Sequence, residues 1–156
     1  MAEYHETQKL AHWWLWLILL GVASIWVYGI YQQLYLGEPF GNNPMTNTGL
    51  LISTVIPLGL IFLFTTLSLR TTVDARGIHI RYFPLWSTLI PWDQVGHAEI
   101  IEYGFVGYGI RFSPTYGTVY NAMGHTGLQI IKTSGRKILI GTQRPEELRA
   151  VLAQYL

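Results

Sequence analysis

The sequence predicts an α+β protein, in which a transmembrane helical hairpin is followed by a small antiparallel β-barrel or sandwich capped by a C-terminal α-helix. Three observations predict this fold class. Two apolar runs without charge each have about 20 residues, enough for a helix to cross the ~30 Å hydrocarbon layer of a bilayer. After the second run the apolar residues recur at every second position, which is typical of strands. The chain then ends in a segment with the period of an amphipathic helix.

The two apolar runs place the spans at about 13–31 and 49–69, so that residues 1–69 form an N-terminal segment and hairpin and residues 70–156 form a separate domain. A cleaved signal peptide is the alternative for the first run, but no small-residue cleavage site ends it. Residues 10–69 contain one charged side chain, Glu38. Because ionisable residues usually mark ion pathways and intramembrane active sites, their absence disfavours both.

The distribution of basic residues predicts the orientation of the hairpin. The connector between the spans carries no Lys or Arg, whereas Lys9 precedes the first span and Arg70, Arg76 and Arg81 follow the second. Basic residues flank the cytoplasmic ends of membrane spans. We therefore expect a multi-pass membrane protein with both termini in the cytoplasm. Within the second span, Pro57 removes a backbone donor and predicts a kink near Ser53.

The sequence of residues 70–156 predicts a series of short strands. Its first hairpin turns at 75–77, because Leu69, Thr71 and Val73 alternate with polar residues before it and a similar alternation follows it. Around seven strands are expected in all, with a tight turn at 133–136 between the last two. Pro145 then opens a helix whose apolar stripe is built by Leu148, Val151, Leu152 and Tyr155.

Four stretches resemble the pleckstrin-homology-like domain of uncharacterised bacterial membrane proteins with two spans. They are TVDARGI at 72–78, IPWDQV at 90–95, GLQI at 127–130 and GRKILIGTQRPEEL at 135–148. The resemblance implies two bent antiparallel sheets with a capping helix, located at a bacterial inner membrane. It implies no established activity. Phosphoinositide binding is not carried over, because the loop at 75–77 has no room for a Lys/Arg cluster.

The residue types argue against several classes of function. The chain has no cysteine, which excludes disulfides, thiolate metal sites and a Cys nucleophile. His79, His97 and His125 lack the spacing of a metal motif, and no phosphate loop or nucleophile elbow is present. We therefore expect no enzyme, no cofactor and no metal. Nine basic against six acidic residues from Arg70 onward is too weak an excess for nucleic acid, although it suits a domain beside anionic lipid.

The segment 103–125 is the candidate partner-binding surface, because it interleaves aromatic residues with glycine and carries few charges, a composition typical of contact surfaces. The alternative is that half of its rings fill the core. The candidate residues are Tyr103, Phe105, Tyr108, Arg111, Tyr116, Tyr120 and Asn121. The expected function is a non-enzymatic, membrane-anchored interaction or scaffold module, whose partners are membrane lipid and either other proteins or further copies of the chain. An accessory subunit of a larger membrane complex is the alternative, and a membrane-bound enzyme a remote one.

Overall fold

The computed structural model describes residues 3–10 and 12–156 and has an α+β fold. The four α-helices are α1 (Trp13–Ile30), α2 (Asn47–Ser53), α3 (Val55–Thr66) and α4 (Pro145–Leu152). The nine strands in this part of the chain are β1 (Tyr4–Lys9), β2 (Ser68–Asp74), β3 (Gly77–Phe83), β4 (Trp86–Pro91), β5 (Val95–Glu102), β6 (Gly109–Ser113), β7 (Gly117–Asn121), β8 (Thr126–Lys132) and β9 (Lys137–Gly141). They divide between two compact units, a sheet unit made of Met1–Leu10 with Thr66–Leu156 and a helical unit, Ala11–Thr65.

The helical unit contains two helices that are long and apolar enough to cross a membrane, Trp13–Tyr35 and Asn47–Thr66. The first is α1 extended by a π-helical segment, Tyr31–Tyr35. Only 11% of the most apolar window of each helix is buried, so most of the apolar surface is uncovered. The second helix ends three residues before the predicted boundary at 69. Leu67 and Leu69 are buried in the sheet unit instead.

The second helix is interrupted between α2, which ends at Ser53, and α3, which begins at Val55, at the place where the kink was predicted. Pro57 has no N–H to donate to the carbonyl of Ser53. The hydroxyls of Ser53 and Thr54 both donate to the carbonyl of Leu50, at 2.8 and 3.1 Å. Trp26 contacts the second helix, since its indole N–H donates to the Ser53 hydroxyl at 3.0 Å.

The sheet unit contains two separate sheets. The first is antiparallel, with the order β1-β2-β3-β4, and the second has the order β5-β8-β9-β7-β6. The second sheet is mixed, because β7 pairs with β9 in parallel. In the described residues the strands do not close into a barrel, so the barrel form of the predicted fold is wrong. The turn at 133–136 and the C-terminal helix match the sequence-based expectation. The presence of two sheets matches it as well, but the parallel β7–β9 pairing departs from the two antiparallel sheets that were expected.

Strand β1 belongs to the sheet unit, which changes the predicted division of the chain into domains. Residues 1–69 were expected to belong with the hairpin, but Tyr4–Lys9 pairs with β2 along its whole length, from Tyr4 opposite Val73 to Lys9 opposite Ser68. The helical unit is therefore inserted between two neighbouring strands of one sheet. Both of its ends are attached to the same β-ladder.

The core of the sheet unit is built by the inward-facing side chains of both sheets. Tyr4, Leu69 and Ile80 in the first sheet and Ile130 and Ile140 in the second are at most 1% exposed. The stripe predicted on α4 is buried as well, at Leu148, Val151 and Leu152. Between the sheets, the rings of Trp86 in β4 and Tyr120 in β7 stack with their centroids 5.3 Å apart.

Candidate functional site

The aromatic segment proposed as a partner surface is divided between core and surface. Three of its seven candidates are buried: Tyr103 and Tyr120 are each 4% exposed and Asn121 is 1% exposed. Tyr108 and Tyr116 are half-buried, and Arg111 and Phe105 are exposed. The structure therefore does not bring the seven residues together on one accessible surface.

One buried candidate, Tyr103, belongs to a small second core on the second sheet. Tyr103 packs with Val119 and Leu139, and Tyr116 makes an edge-to-face contact with the Tyr103 ring at 6.1 Å between centroids. Burial raises the pKa of Tyr103 and of Tyr120 to about 12. Gln129, also buried here, donates to the carbonyl of Ile138 at 3.0 Å. These side chains hold the loop that follows β5 against the sheet.

The exposed members lie beside an edge strand. Strand β6 is the last strand of its sheet, so one side of its backbone has no strand partner in that sheet. Its side chains Ile110 and Phe112 are 43% and 81% exposed, and Phe105 in the preceding loop is 69% exposed. We call Phe105, Ile110 and Phe112 the aromatic edge. Arg111 is oriented locally, because its Nε donates to the carbonyl of Tyr108 at 3.1 Å.

A second surface, not proposed from the sequence, crosses the outer face of the first sheet. Thr7 lies opposite Arg70 in the β1–β2 pairing, Arg70 opposite Arg81, and Arg81 opposite Ser87. We call these four residues, one from each strand, the basic row. All four are exposed and all carry hydrogen-bond donors. A groove of about 490 Å³ lies over the face, and Arg70, Arg81 and Ser87 line it.

The two arginines of the basic row form a like-charge pair. Like charges directly opposite each other in an antiparallel ladder destabilise a sheet, by on the order of 0.2–1 kcal/mol. Both guanidinium groups lie over the ring of Phe83, at 4.8 and 5.1 Å from its centroid. Cation–π attraction offsets part of the repulsion but supplies no negative charge. Among the described residues, no carboxylate forms an ion pair with Arg70 or Arg81.

Arg76, which also lines the groove, is neutralised. Its guanidinium donates to Asp74 Oδ2 at 2.9 Å, and its backbone N–H donates to Asp74 Oδ1 at 2.8 Å. The hydrogen bonds from Arg76 hold the pKa of the Asp74 carboxyl below its usual range, although burial opposes them. His79 Nε2 lies 3.5 Å from the same carboxylate. The uncompensated positive charge of the groove is therefore concentrated at Arg70 and Arg81.

The lowered pKa of the Asp74 carboxyl predicts that the stability of the fold depends on pH. Because the pKa of Asp74 is lowered in the folded state, its contribution is present above the pKa of the unfolded chain, ~4, and is lost as the pH falls through the folded value. We expect the melting temperature of the full chain in detergent to fall below about pH 4. Asp74→Asn should lower the melting temperature at neutral pH and flatten this acid-limb decrease.

The matched control is Asp93→Asn, at an exposed carboxylate in the 3₁₀ turn after β4. This variant should retain the acid limb of the wild-type curve. If Asp74→Asn shows the same pH dependence as the wild type, the Arg76–Asp74 contact does not stabilise the folded state.

The sequence does not give the basic row directly. The predicted turn at 75–77 would put position 74 opposite 78 and position 70 opposite 82, whereas the structure has a two-residue turn, with Asp74 opposite Gly77 and Arg70 opposite Arg81. The contribution of Thr7 has no signal in the sequence either, since it depends on the unexpected strand β1.

The described residues contain no cluster of three or more metal-ligating side chains. His79 lies beside Asp74 and His97 beside Glu99, at 3.5 and 3.6 Å, so these two histidines form separate pairs. In comparisons with known proteins, no family model matches the chain and no curated protein is significantly similar to it in sequence. The similarity to pleckstrin-homology-like domains thus stays a prediction.

Proposed function

We propose that this chain is a non-enzymatic, membrane-anchored interaction module, with the helical unit as a transmembrane hairpin and the sheet unit on the cytoplasmic side. The observation that carries the proposal is the insertion of the helical unit between the paired strands β1 and β2. Because Lys9 and Ser68 are neighbours in one ladder, both must lie on the same side of a membrane. Two antiparallel crossings satisfy this requirement, and a single crossing does not.

Two further features support the anchor. The hairpin leaves most of its apolar surface uncovered, as a lipid-facing pair of helices requires. The basic residues nearest to the spans, Lys9 and Arg70, both lie on the sheet side of them. The positive-inside rule then assigns the sheet unit to the cytoplasm and the connector to the outside. We further propose that the sheet unit is a pleckstrin-homology-like sandwich at a bacterial inner membrane.

The aromatic edge is the proposed contact surface for a protein partner. An edge strand offers unpaired backbone N–H and C=O groups to an extended segment of another chain, and neighbouring side chains add specificity. The exposed rings of Phe105 and Phe112 would pack against such a segment. We propose that an extended segment of protein binds at the aromatic edge, supplied either by a second copy of the chain or by a distinct subunit.

The test places a photo-crosslinking residue at Phe112 of the full chain in native membranes, with Leu85 as the control. Leu85 is also apolar and 61% exposed but lies in the β3–β4 turn. We expect a discrete adduct from Phe112 only. An adduct of twice the chain mass identifies a homo-oligomeric scaffold, and a constant different mass identifies an accessory subunit.

Phe112→Asp should weaken the same association at least about tenfold while changing the free energy of unfolding by no more than about 0.5 kcal/mol, because the side chain is largely exposed. Equal crosslinking from Phe112 and Leu85, or undiminished association of the Phe112→Asp variant, would show that the aromatic edge is not the contact surface for a protein partner.

A further inference from the structure

The basic row is a donor surface without an acceptor. Its members run Thr7, Arg70, Arg81, Ser87 across β1 to β4, and paired residues in an antiparallel ladder point to the same face of a sheet. Two guanidinium groups thus lie side by side between two hydroxyls. All of these groups can donate to an anion, and the guanidiniums can only donate.

The charge arrangement at the row differs from that in the rest of the groove. Asp74 already binds Arg76 at 2.9 Å, so that carboxylate is committed to another arginine. Arg70 and Arg81 share only the Phe83 ring, which orients their planar groups but does not neutralise them. An anion bound between the two arginines would remove their repulsion and satisfy their donors.

We propose that the basic row binds the phosphate group of an anionic phospholipid headgroup. Guanidinium groups match the oxygens of phosphate in paired hydrogen bonds, and two adjacent guanidiniums present more donors than a single phosphodiester needs. The hydroxyls of Thr7 and Ser87 complete the row with neutral donors.

The position of the row along the chain favours a lipid as the source of the phosphate, which rests on the proposed function of the hairpin as a membrane anchor. Four residues lead from Thr66, the last residue of α3, to Arg70, a reach of about 14 Å in extended chain. The polar headgroup layer is roughly 5–8 Å thick on each side of a bilayer. The phosphates of one leaflet are therefore within reach of the row.

The test measures ligand binding to the purified full chain in an uncharged detergent by native mass spectrometry. The probes are a short-chain phosphatidylglycerol, the matching phosphatidylcholine and inorganic phosphate. Phosphatidylglycerol should bind the wild type more tightly than the other two. The double variant Arg70→Gln/Arg81→Gln should lose roughly tenfold or more in affinity for it, because two charge-assisted contacts disappear. Added salt should weaken the wild-type binding.

Two further variants separate the row from net charge and from folding. Arg136→Gln, an exposed arginine in the β8–β9 turn, removes a charge elsewhere and should leave the affinity unchanged. Arg70→Lys/Arg81→Lys keeps both charges but loses the planar donor pairs, so its affinity should lie between that of the wild type and that of the Gln variant.

Equal affinity of the wild type and the Gln double variant, or of phosphatidylglycerol and phosphatidylcholine, would overturn the proposal. Inorganic phosphate binding as tightly as phosphatidylglycerol would assign the row to a free phosphate compound and overturn the lipid. Membrane insertion of the Gln double variant is measured separately. If this variant inserts normally and still binds phosphatidylglycerol like the wild type, the proposed headgroup site is wrong while the proposed membrane anchor is not contradicted.

Discussion

Glu6→Ala should lower the free energy of unfolding by roughly 3–5 kcal/mol, because it removes the acceptor of two buried hydrogen bonds and one partly buried hydrogen bond. The Glu6 carboxylate is 6% exposed. It accepts from the Tyr4 hydroxyl at 2.5 Å, from the Thr142 hydroxyl at 2.8 Å and from the backbone N–H of Gln143 at 2.8 Å. Burial, together with the hydrogen bond to the carboxylate, raises the pKa of Tyr4.

The loss should be read from thermal or denaturant unfolding of the full chain in detergent. Glu6→Gln keeps one acceptor and should lose less than Glu6→Ala. Glu99→Ala is the control, since Glu99 is about half exposed and lies on β5, and it should change stability by no more than about 0.5 kcal/mol. If Glu6→Ala unfolds like the control, β1 is not joined to the segment after β9 in the way described.

Gly117→Ala should destabilise the sheet unit by about 3 kcal/mol or more, whereas Gly135→Ala should cost about 1 kcal/mol. Both glycines have a φ in the left-handed region, at 77° and 81°. They differ in their surroundings. A Cβ on Gly117 would overlap the backbone carbonyl of Lys137, and a Cβ on Gly135 would meet nothing within 4 Å.

Because both substitutions impose the same backbone strain, their difference isolates the overlap with Lys137. That carbonyl cannot move freely, since Lys137 opens β9 beside the parallel pairing of β7 and β9. The measurement is the unfolding free energy of both variants under one set of conditions. Equal losses for the two variants would contradict the close approach of β7 to β9.

Much of the fold could be predicted because its signals are local. The period-two pattern after Ser68 and the turn residues at 133–136 placed the later strands, and the stripe from Leu148 to Leu152 placed α4. Strand β1 was not predicted, because its inward-facing residues are Tyr4, Glu6 and Gln8. No alternation of apolar and polar residues therefore marks it as a strand. Its partner β2 also begins almost 60 residues later, beyond the reach of a local pattern.

The candidate site could be predicted only in part. Composition identified the aromatic segment, but it cannot tell which rings are buried. Tyr103 is buried because it packs with Val119 and Leu139, in a sheet whose strand order, β8-β9-β7, is not sequential. Tyr120 is buried on the other face of that sheet, where it stacks on Trp86. Phe112 stays exposed because β6 is the edge of that sheet. The pair Arg70–Arg81 depends on the hairpin register, and the predicted turn at 75–77 is one residue longer than the turn that gives this register.

The central claim is that residues 9 and 68 flank two crossings of a membrane, with the sheet unit in the cytoplasm. Since the chain has no cysteine, single cysteines at Asn42 in the connector and at Ser134 in the β8–β9 turn report its topology without background. Both positions are exposed. With an impermeant thiol reagent on intact cells, we expect labelling at Asn42 alone, and labelling at Ser134 only after the membrane is permeabilised. Equal labelling of the two positions in intact cells, or labelling of Ser134 alone, would contradict the account.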